Sequence, residues 1–214
     1  MDQMICAVGE AGSAMLLDCR TLETAPTPIP RSATVVVMDT ATRRELVGSA
    51  YNNRRAACRT AAEALGVPTL RDAKMDDLLD AADRLGPVAF RRARHVLNEN
   101  AAVAGAAAAL RAGDLERAGA LMSASHASLA ADYEVTTPAL DAMAAAAQAA
   151  PGCFGARMTG AGFGGAVVAL AATSQLEAFA AEALARYESV IGARGSAIPV
   201  TASAGVSLTP DPRP

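Results

Sequence analysis

Residue types that usually mark a charged partner or a large aromatic core are scarce in this chain. Only 3% of its 214 residues are aromatic and none is tryptophan. The formal net charge is −3 and the isoelectric point is near 5.4. No basic face is evident, which argues against nucleic acid or an anionic membrane as the main partner. No apolar run approaches the ~20 residues that a membrane-spanning helix requires.

Cysteine is also scarce, and its spacing excludes two kinds of site. Four cysteines occur, Cys6, Cys19, Cys58 and Cys153, with no CxxC pair and no zinc-type spacing. We expect reduced thiols in a cytoplasmic protein. The first ten residues hold two acids and no lysine or arginine, so we also expect no signal peptide.

The chain is rich in small apolar residues. Residues of apolar type make up 52% of it, and alanine supplies much of that share. We therefore expect closely packed helices with a core of small and branched side chains. The length suffices for one large domain or two small ones.

The pattern of apolar residues predicts strands on either side of a helical middle. Strands are predicted at residues 13–19, 33–38, 166–172 and 197–202, with a connector at Pro26, Pro28 and Pro30. Helices are predicted at residues 4–8, 49–65, 74–84, 88–112, 115–131, 137–150 and 175–187. Asp114 and Thr137 are suitable N-caps. Because strands and helices do not alternate regularly, the order favours an α+β fold.

One stretch, GARMTGAGFGGA at residues 155–166, holds five glycines next to the predicted buried strand. Glycine adopts positive φ and lets another backbone or a ligand come close. The stretch is therefore either a tight connection packed under a helix or a backbone loop that approaches an anion or a sugar. Gly160, Gly162 and Gly165 spell GxGxxG, but a strand follows instead of the helix that a dinucleotide site requires. The residues alone leave both interpretations open.

The segment RMTGAGFGGAVVAL, residues 157–170, closely resembles the third signature of the GHMP small-molecule kinases in its galactokinase version. Other segments resemble the same family in collinear order from residue 1 to about residue 205. They are MDQ (1–3), MLLDCRTLE (15–23), LVGSAYNNRRAAC (46–58), RARHVLNEN (92–100) and SHASLAADYEVTTPALD (125–141).

The resemblance implies a fold and a division of the chain. The fold implied is α+β, the GHMP-kinase C-terminal domain with an antiparallel sheet packed against several helices. Residues 1–32 would be a remnant of the N-terminal kinase domain, residues 33–205 the C-terminal domain and residues 206–214 a loose tail. The two earlier family signatures, which bind the sugar and wrap the ATP phosphates, do not occur in these 214 residues. We therefore expect the C-terminal half of a galactokinase that starts at an internal methionine.

The resemblance also implies a reaction, namely transfer of the γ-phosphoryl of ATP to the anomeric hydroxyl of galactose with Mg²⁺. Asp2 corresponds to the carboxylate beside the reactive hydroxyl, as general base or electrostatic orienter. Tyr51 corresponds to a tyrosine that contacts galactose. The glycine loop near the sugar and phosphate comprises Thr159, Gly160, Gly162, Gly164 and Gly165. No residue of this chain corresponds to a metal ligand, and we expect the chain alone to be inactive.

Two other functions stay open. The chain is alternatively a non-catalytic galactokinase-like remnant or sugar sensor, or it belongs to another GHMP sugar kinase such as one for N-acetylgalactosamine. The partners expected are galactose and ATP, without nucleic acid or membrane, and no oligomeric state is predicted.

Several polar residues are predicted to have no catalytic part. His95 is expected to be solvated or to cap a helix, and His126 to be structural. Arg54, Arg55 and Arg59 are expected to form a solvated helix face, although the first two match an arginine pair of the family.

Overall fold

The computed structural model describes residues 2–43 and 48–207. The helices are α1 (Asp2–Val8), α2 (Gly48–Ala64), α3 (Met75–Asp80), α4 (Ala82–Ala112), α5 (Leu115–Ser128), α6 (Pro138–Gln148) and α7 (Leu176–Ile191). The strands are β1 (Ser13–Leu17), β2 (Thr24–Pro28), β3 (Ala33–Asp39), β4 (Cys153–Met158), β5 (Ala166–Ala172) and β6 (Ser196–Val200). Short helical turns occupy Leu70–Asp72, Leu129–Tyr133 and Thr173–Gln175.

The strands form two antiparallel sheets. β1 and β2 make a hairpin, and the other four strands make a sheet in the order β4-β5-β3-β6. The β-branched run of β3 lies in the middle of the larger sheet, paired with β5 on one side and β6 on the other. The expected α+β class with an antiparallel sheet and several helices is confirmed.

Helices cover both faces of the larger sheet. On one face, Val36 and Met38 of β3 pack with α6 and α7 in the largest apolar cluster. On the other face, Ala33 and Val35 pack with Leu170 and with residues of α4 and α5. This alternation follows from the two-residue period of a strand. The helical middle has a separate alanine-rich core between α2, α3 and α4.

Both predicted N-caps are present. The Asp114 side chain accepts the backbone N–H of Arg117 at 2.9 Å, and the Thr137 hydroxyl accepts that of Leu140 at 3.3 Å. These bonds satisfy donors that the first helical turn leaves free.

Two predictions about elements were wrong, and one strand was missed. The proline-rich stretch is not a connector but strand β2, in which Pro26 pairs opposite Met15. Proline is tolerated there because an edge strand does not need every N–H for its ladder. The helix predicted at 74–84 is broken at Ala81, and the next helix is kinked at Gly86, whose φ is 67°. Strand β4 was not predicted.

The predicted divisions at the chain ends are only partly within the structure. The tail from 208 to 214 lies outside the described residues, as does Met1. Val206 donates its N–H to the Cys6 carbonyl of α1 at 2.8 Å.

In residues 2–43 and 48–207, no helix combines the length and the apolar character needed to cross a membrane.

Candidate functional site

A small cavity of about 170 Å³ lies where α2, the turn at Leu129–Tyr133 and the glycine loop meet. Three aromatic rings line it, those of Tyr51, Tyr133 and Phe163, together with the Arg54 side chain and Gly160. The lining is thus mostly apolar, with the phenols of Tyr51 and Tyr133 and the Arg54 guanidinium as polar side-chain groups. Such a lining suits a small molecule that presents both C–H surface and hydroxyls.

The glycine loop joins β4 to β5 and uses an unusual backbone. φ is 78° at Gly160, 82° at Gly162 and 97° at Gly165, and Phe163 adopts 61° without being a glycine. The loop is closed at its base by the Thr159 N–H, which donates to the Ala166 carbonyl at 3.0 Å. Positive φ is therefore the first reason for the glycines.

Close approach is the second reason. The Phe163 N–H donates to the Val135 carbonyl at 2.8 Å, and a Cβ on Gly162 would overlap that same carbonyl oxygen. On its other side the loop is held by the residue that follows β3, because Thr40 donates its N–H to the Gly165 carbonyl at 3.1 Å. The loop thus rests on the segment after the Leu129–Tyr133 turn, and its shape depends on that segment.

Gly155 belongs to a different contact. It lies in β4 against Gly119 of α5, and a Cβ on either residue would overlap the backbone of the opposite element. The interpretation as packing under a helix therefore applies to Gly155. Gly155 allows helix-on-strand packing, and the later glycines shape the loop.

The wall opposite the loop is a π-helical turn, Leu129–Tyr133, that ends at Glu134 in the left-handed region (φ 53°, ψ 53°). Arginines hold this turn. Arg54 donates from Nε to the Tyr133 carbonyl at 3.0 Å and from Nη2 to the Glu134 carbonyl at 2.5 Å. Arg91 and the buried Arg92 both bind the Glu134 carboxylate.

The prediction for Arg54 was therefore wrong, whereas Arg55 and Arg59 are exposed as expected. Arg54 is half-buried and also lies over the Phe163 ring, 5.6 Å from its centroid. Burial lowers the pKa of the Arg54 guanidinium from its usual value, with a further contribution from the Arg92 charge.

His95 was also predicted wrongly, because it is buried. Its Nδ1 lies 2.9 Å from the Ser128 hydroxyl, and its ring stacks on Tyr133 at 4.5 Å between centroids. Burial lowers the pKa of His95 and raises that of the Tyr133 hydroxyl to about 12. His126 is structural in its contacts, since its Nδ1 accepts the Met158 N–H at 3.1 Å.

Of the residues predicted from sequence for the sugar site, some line the cavity and one does not. Tyr51 stands in the first turns of α2, is 59% exposed and lines the cavity together with Gly160. Asp2 is exposed in the first turn of α1 and is not among the residues that line the cavity. The structure brings Tyr51 and the glycine loop together and leaves Asp2 on its own.

Another hollow, of about 340 Å³, lies between the end of β6 and the start of β3. Its lining includes Arg31, Thr34 and Thr173, and the two threonines bond to each other at 3.0 Å. It contains none of the residues that the sequence predicted for the sugar and phosphate site.

The described residues do not provide a ligand set for Mg²⁺. In the part of the chain that the structure describes, no cluster of three or more His, Cys, Asp or Glu could hold a metal ion. The loop amides of Phe163 and Gly165 donate to Val135 and Thr42, so these two amides are already bonded within the protein. We therefore derive no step through the nucleotide or the metal from this chain.

Comparison with known proteins agrees with this fold. Residues 106–189 match the family "GHMP kinases C terminal". The galactokinase of Chloroflexus aurantiacus is 48% identical over 212 residues, which are 97% of this chain and 54% of that protein. The crystal structure of Lactococcus lactis galactokinase complexed with galactose matches with a TM-score of 0.89 at 37% identity, covering 95% of this chain and 54% of that one. Mevalonate kinase of L. major in complex with R-mevalonate shares the fold, with a TM-score of 0.57 at 20% identity, covering 90% and 50%.

The chain thus belongs to the GHMP small-molecule kinases, as a C-terminal portion of that fold. Within that class its relatives are galactokinases, and it corresponds to the C-terminal part of a galactokinase. The chain spans about half the length of the curated relatives that it matches.

Sequence reasoning missed most of the cavity wall. Phe163 lay inside the glycine stretch and Tyr133 inside a segment that resembles the family, but neither was selected. Each was overlooked because a single apolar or aromatic residue in a helix or loop looks like a core residue. An aromatic between two glycines is the signal that could have selected Phe163.

Proposed function

We propose that this chain supplies the sugar-facing C-terminal part of a galactokinase, which transfers the γ-phosphoryl of ATP to the anomeric hydroxyl of galactose. One observation carries the proposal: Tyr51 and Gly160, which the family resemblance assigns to the sugar site, line the same cavity. The division into residues 1–32, 33–205 and 206–214, and a cytoplasmic location, belong to the same proposal.

The cavity suits a neutral sugar in its chemistry. A phenol hydroxyl on Tyr51 donates to or accepts from a sugar hydroxyl. The rings of Tyr133 and Phe163 offer apolar faces to the C–H groups of a pyranose. The Nε and Nη2 donors of Arg54 already bond two carbonyls, so this edge of the guanidinium is not free to bind an anion as a fork.

Asp2 is proposed as the carboxylate that orients and deprotonates the reactive hydroxyl. Its exposure is consistent with a group that awaits a covering segment and a substrate. A general base contributes roughly 100- to 10,000-fold to a rate. Because Asp2 does not line the cavity here, we propose that a complementary N-terminal segment brings the two together.

The isolated chain is proposed to be inactive. The phosphate-wrapping and sugar-binding signatures of the family do not occur in its 214 residues, and phosphoryl transfer depends on cations and amides around the phosphates. The chain would act only when joined to a segment that carries those parts.

The test is to join the N-terminal portion of the Chloroflexus aurantiacus galactokinase in frame ahead of Met1, and to assay this joined enzyme and the isolated chain. We expect galactose 1-phosphate from the joined enzyme only. Asp2→Asn should lower its kcat by about 100-fold or more, whereas the matched control Glu10→Gln, an exposed acid just after α1, should not.

Three results would contradict the proposal. Turnover by the isolated chain would refute its inactivity. A folded joined enzyme with no activity on galactose would refute the function. Preference for N-acetylgalactosamine over galactose would favour the alternative sugar kinase, which is retained because the resemblance leaves most sugar-selecting residues outside this chain.

A further inference from the structure

Arg54 connects three separate parts of the chain at the cavity. It lies on α2, one turn after Tyr51, and its fork donates to the carbonyls of two consecutive residues, Tyr133 and Glu134. Its guanidinium carbon lies 5.6 Å from the centroid of the Phe163 ring in the glycine loop. One side chain of α2, the helix that carries Tyr51, thus contacts both the end of the π-helical turn and the glycine loop.

Two of the residues that Arg54 contacts have a costly backbone conformation. Among described residues that are not glycine, φ is positive at Leu22, Ala41, Glu134 and Phe163, and Arg54 touches the last two. Such conformations persist only where surrounding contacts over-determine them, and they often occur at functional sites. The Val135 carbonyl, one residue beyond Glu134, accepts the Phe163 N–H at 2.8 Å, so Phe163 is bonded to the residue next to Glu134.

The carboxylate of Glu134 is held independently of Arg54. Arg91 binds it at 2.8 Å and the buried Arg92 binds it as well. Loss of the Arg54 fork would therefore leave the Glu134 side chain anchored. What it would release are the carbonyls of Tyr133 and Glu134, while the Val135 N–H stays bonded to the Leu129 carbonyl at 3.1 Å. The glycine loop rests on this segment.

We propose that Arg54 is a positioning residue, which holds the Tyr133–Glu134 peptide and the Phe163 ring against α2 and thereby sets the spacing between Tyr51 and the glycine loop. Its consequence for sugar binding rests on the proposed function. Its consequence for the loop does not, because it concerns contacts within this chain.

The first experiment measures amide hydrogen exchange in the full 214-residue chain, for wild type, Arg54→Ala and Arg54→Lys. Arg55→Ala is the matched control, since Arg55 is the next residue of α2 and is exposed. We expect Arg54→Ala to speed exchange of the Phe163 amide by about tenfold or more while the β5 amide of Val168 is unaffected. Arg55→Ala should change neither.

Two further measurements distinguish the effect of the two parallel hydrogen bonds of Arg54 from the effect of its positive charge. A lysine cannot present two parallel donors to two carbonyls, so Arg54→Lys should leave the Phe163 amide fast. Added guanidinium ion at millimolar concentration should slow that amide again in Arg54→Ala but not in wild type. Full restoration by lysine, or no change in the Phe163 amide of Arg54→Ala, would overturn the proposal. Equal acceleration at Val168 would also overturn it, because Arg54 would then stabilise the whole fold without specificity for the loop.

The second experiment uses the joined enzyme of the preceding section. A positioning role predicts that Arg54→Ala raises the KM for galactose by roughly tenfold and leaves the KM for ATP within about twofold. Equal changes in both constants would contradict it. If the joined enzyme with Arg54 intact does not phosphorylate galactose, the proposed function fails and the exchange experiment still decides the role of Arg54.

Discussion

Two glycine contacts a few residues apart in sequence solve different physical problems. Gly155 meets Gly119 where β4 crosses α5, and both residues have ordinary negative φ. The loop glycines Gly160 and Gly162 have φ near 80° and shape the cavity wall. The first contact needs the absence of a Cβ, and the second needs a backbone conformation that side chains disfavour. A run of glycines can therefore serve packing and shape the wall of a cavity at once.

The largest effect is expected at the packing contact. Gly155→Ala places a methyl group on the Gly119 backbone, and backbone cannot yield as a side chain does. We expect a loss of roughly 3 kcal/mol or more in the free energy of unfolding, measured by urea denaturation.

Gly105→Ala is the matched control, because its new methyl group would meet only the flexible end of Leu121 at 3.1 Å. Within helix α4 it should be neutral or stabilise by up to about 1 kcal/mol. A stable Gly155→Ala variant would show that β4 and α5 are less tightly packed than described.

The next effect is expected at the loop. Gly162→Ala combines an unfavourable φ with overlap on the Val135 carbonyl, so we expect about 2–3 kcal/mol of destabilisation. Gly192→Ala has a similar φ of 72° at the end of α7 but meets nothing within 4 Å, and should cost about 1 kcal/mol. Equal losses in the two variants, compared by thermal and urea unfolding, would mean that the loop does not rest on Val135.

A smaller effect concerns pH, and it touches both regions. His95 stacks on the cavity residue Tyr133, and His126 binds the β4 amide of Met158. Burial lowers the pKa of each histidine from its usual 6.5. The unfolded chain therefore binds more protons below about pH 6.5, and stability falls as the pH drops through that value.

The slope should not exceed roughly 1.4 kcal/mol per pH unit for each histidine. Urea unfolding at a series of pH values from about 7.5 down to 5 measures it, and His95→Asn should reduce the slope. The pKa values of the Asp132 and Glu134 carboxyls are also lowered. For Asp132, burial raises the pKa, but the hydrogen bonds from Arg94 and Ser128 outweigh this effect. For Glu134, the hydrogen bond from Arg92 lowers the pKa. Those carboxylates lose their contribution only at lower pH, so an unchanged stability between about pH 7 and 5 would contradict the assignment to histidine.

Local signals in the sequence were sufficient for much of the fold. Some features follow from the residues of a single segment, and these were predicted. They are the β-branched run of β3, the apolar run of β5 and the N-caps Asp114 and Thr137. Strands β2 and β4 were not predicted. Proline in β2 and glycine in β4 weaken the local strand signal, and these segments form strands because they pair with neighbouring strands in the fold.

The site was predictable only in part, because its contacts join distant residues. Tyr51 and the glycine loop were selected through family resemblance. Arg54 was assigned to solvent because spacing along α2 cannot reveal carbonyl partners about eighty residues away. His95 was assigned likewise, since its partners Ser128, at the end of α5, and Tyr133, in the turn that follows, are distant from it in sequence.

The most direct test of the central claim is the KM for galactose of the joined enzyme with Tyr51→Phe. We predict that this KM rises roughly 3- to 10-fold, which corresponds to the free energy of one hydroxyl hydrogen bond. The KM for ATP should be unchanged, and the control Arg55→Ala should keep the wild-type KM for galactose. An unchanged KM for galactose in Tyr51→Phe would contradict the assignment of this cavity to the sugar.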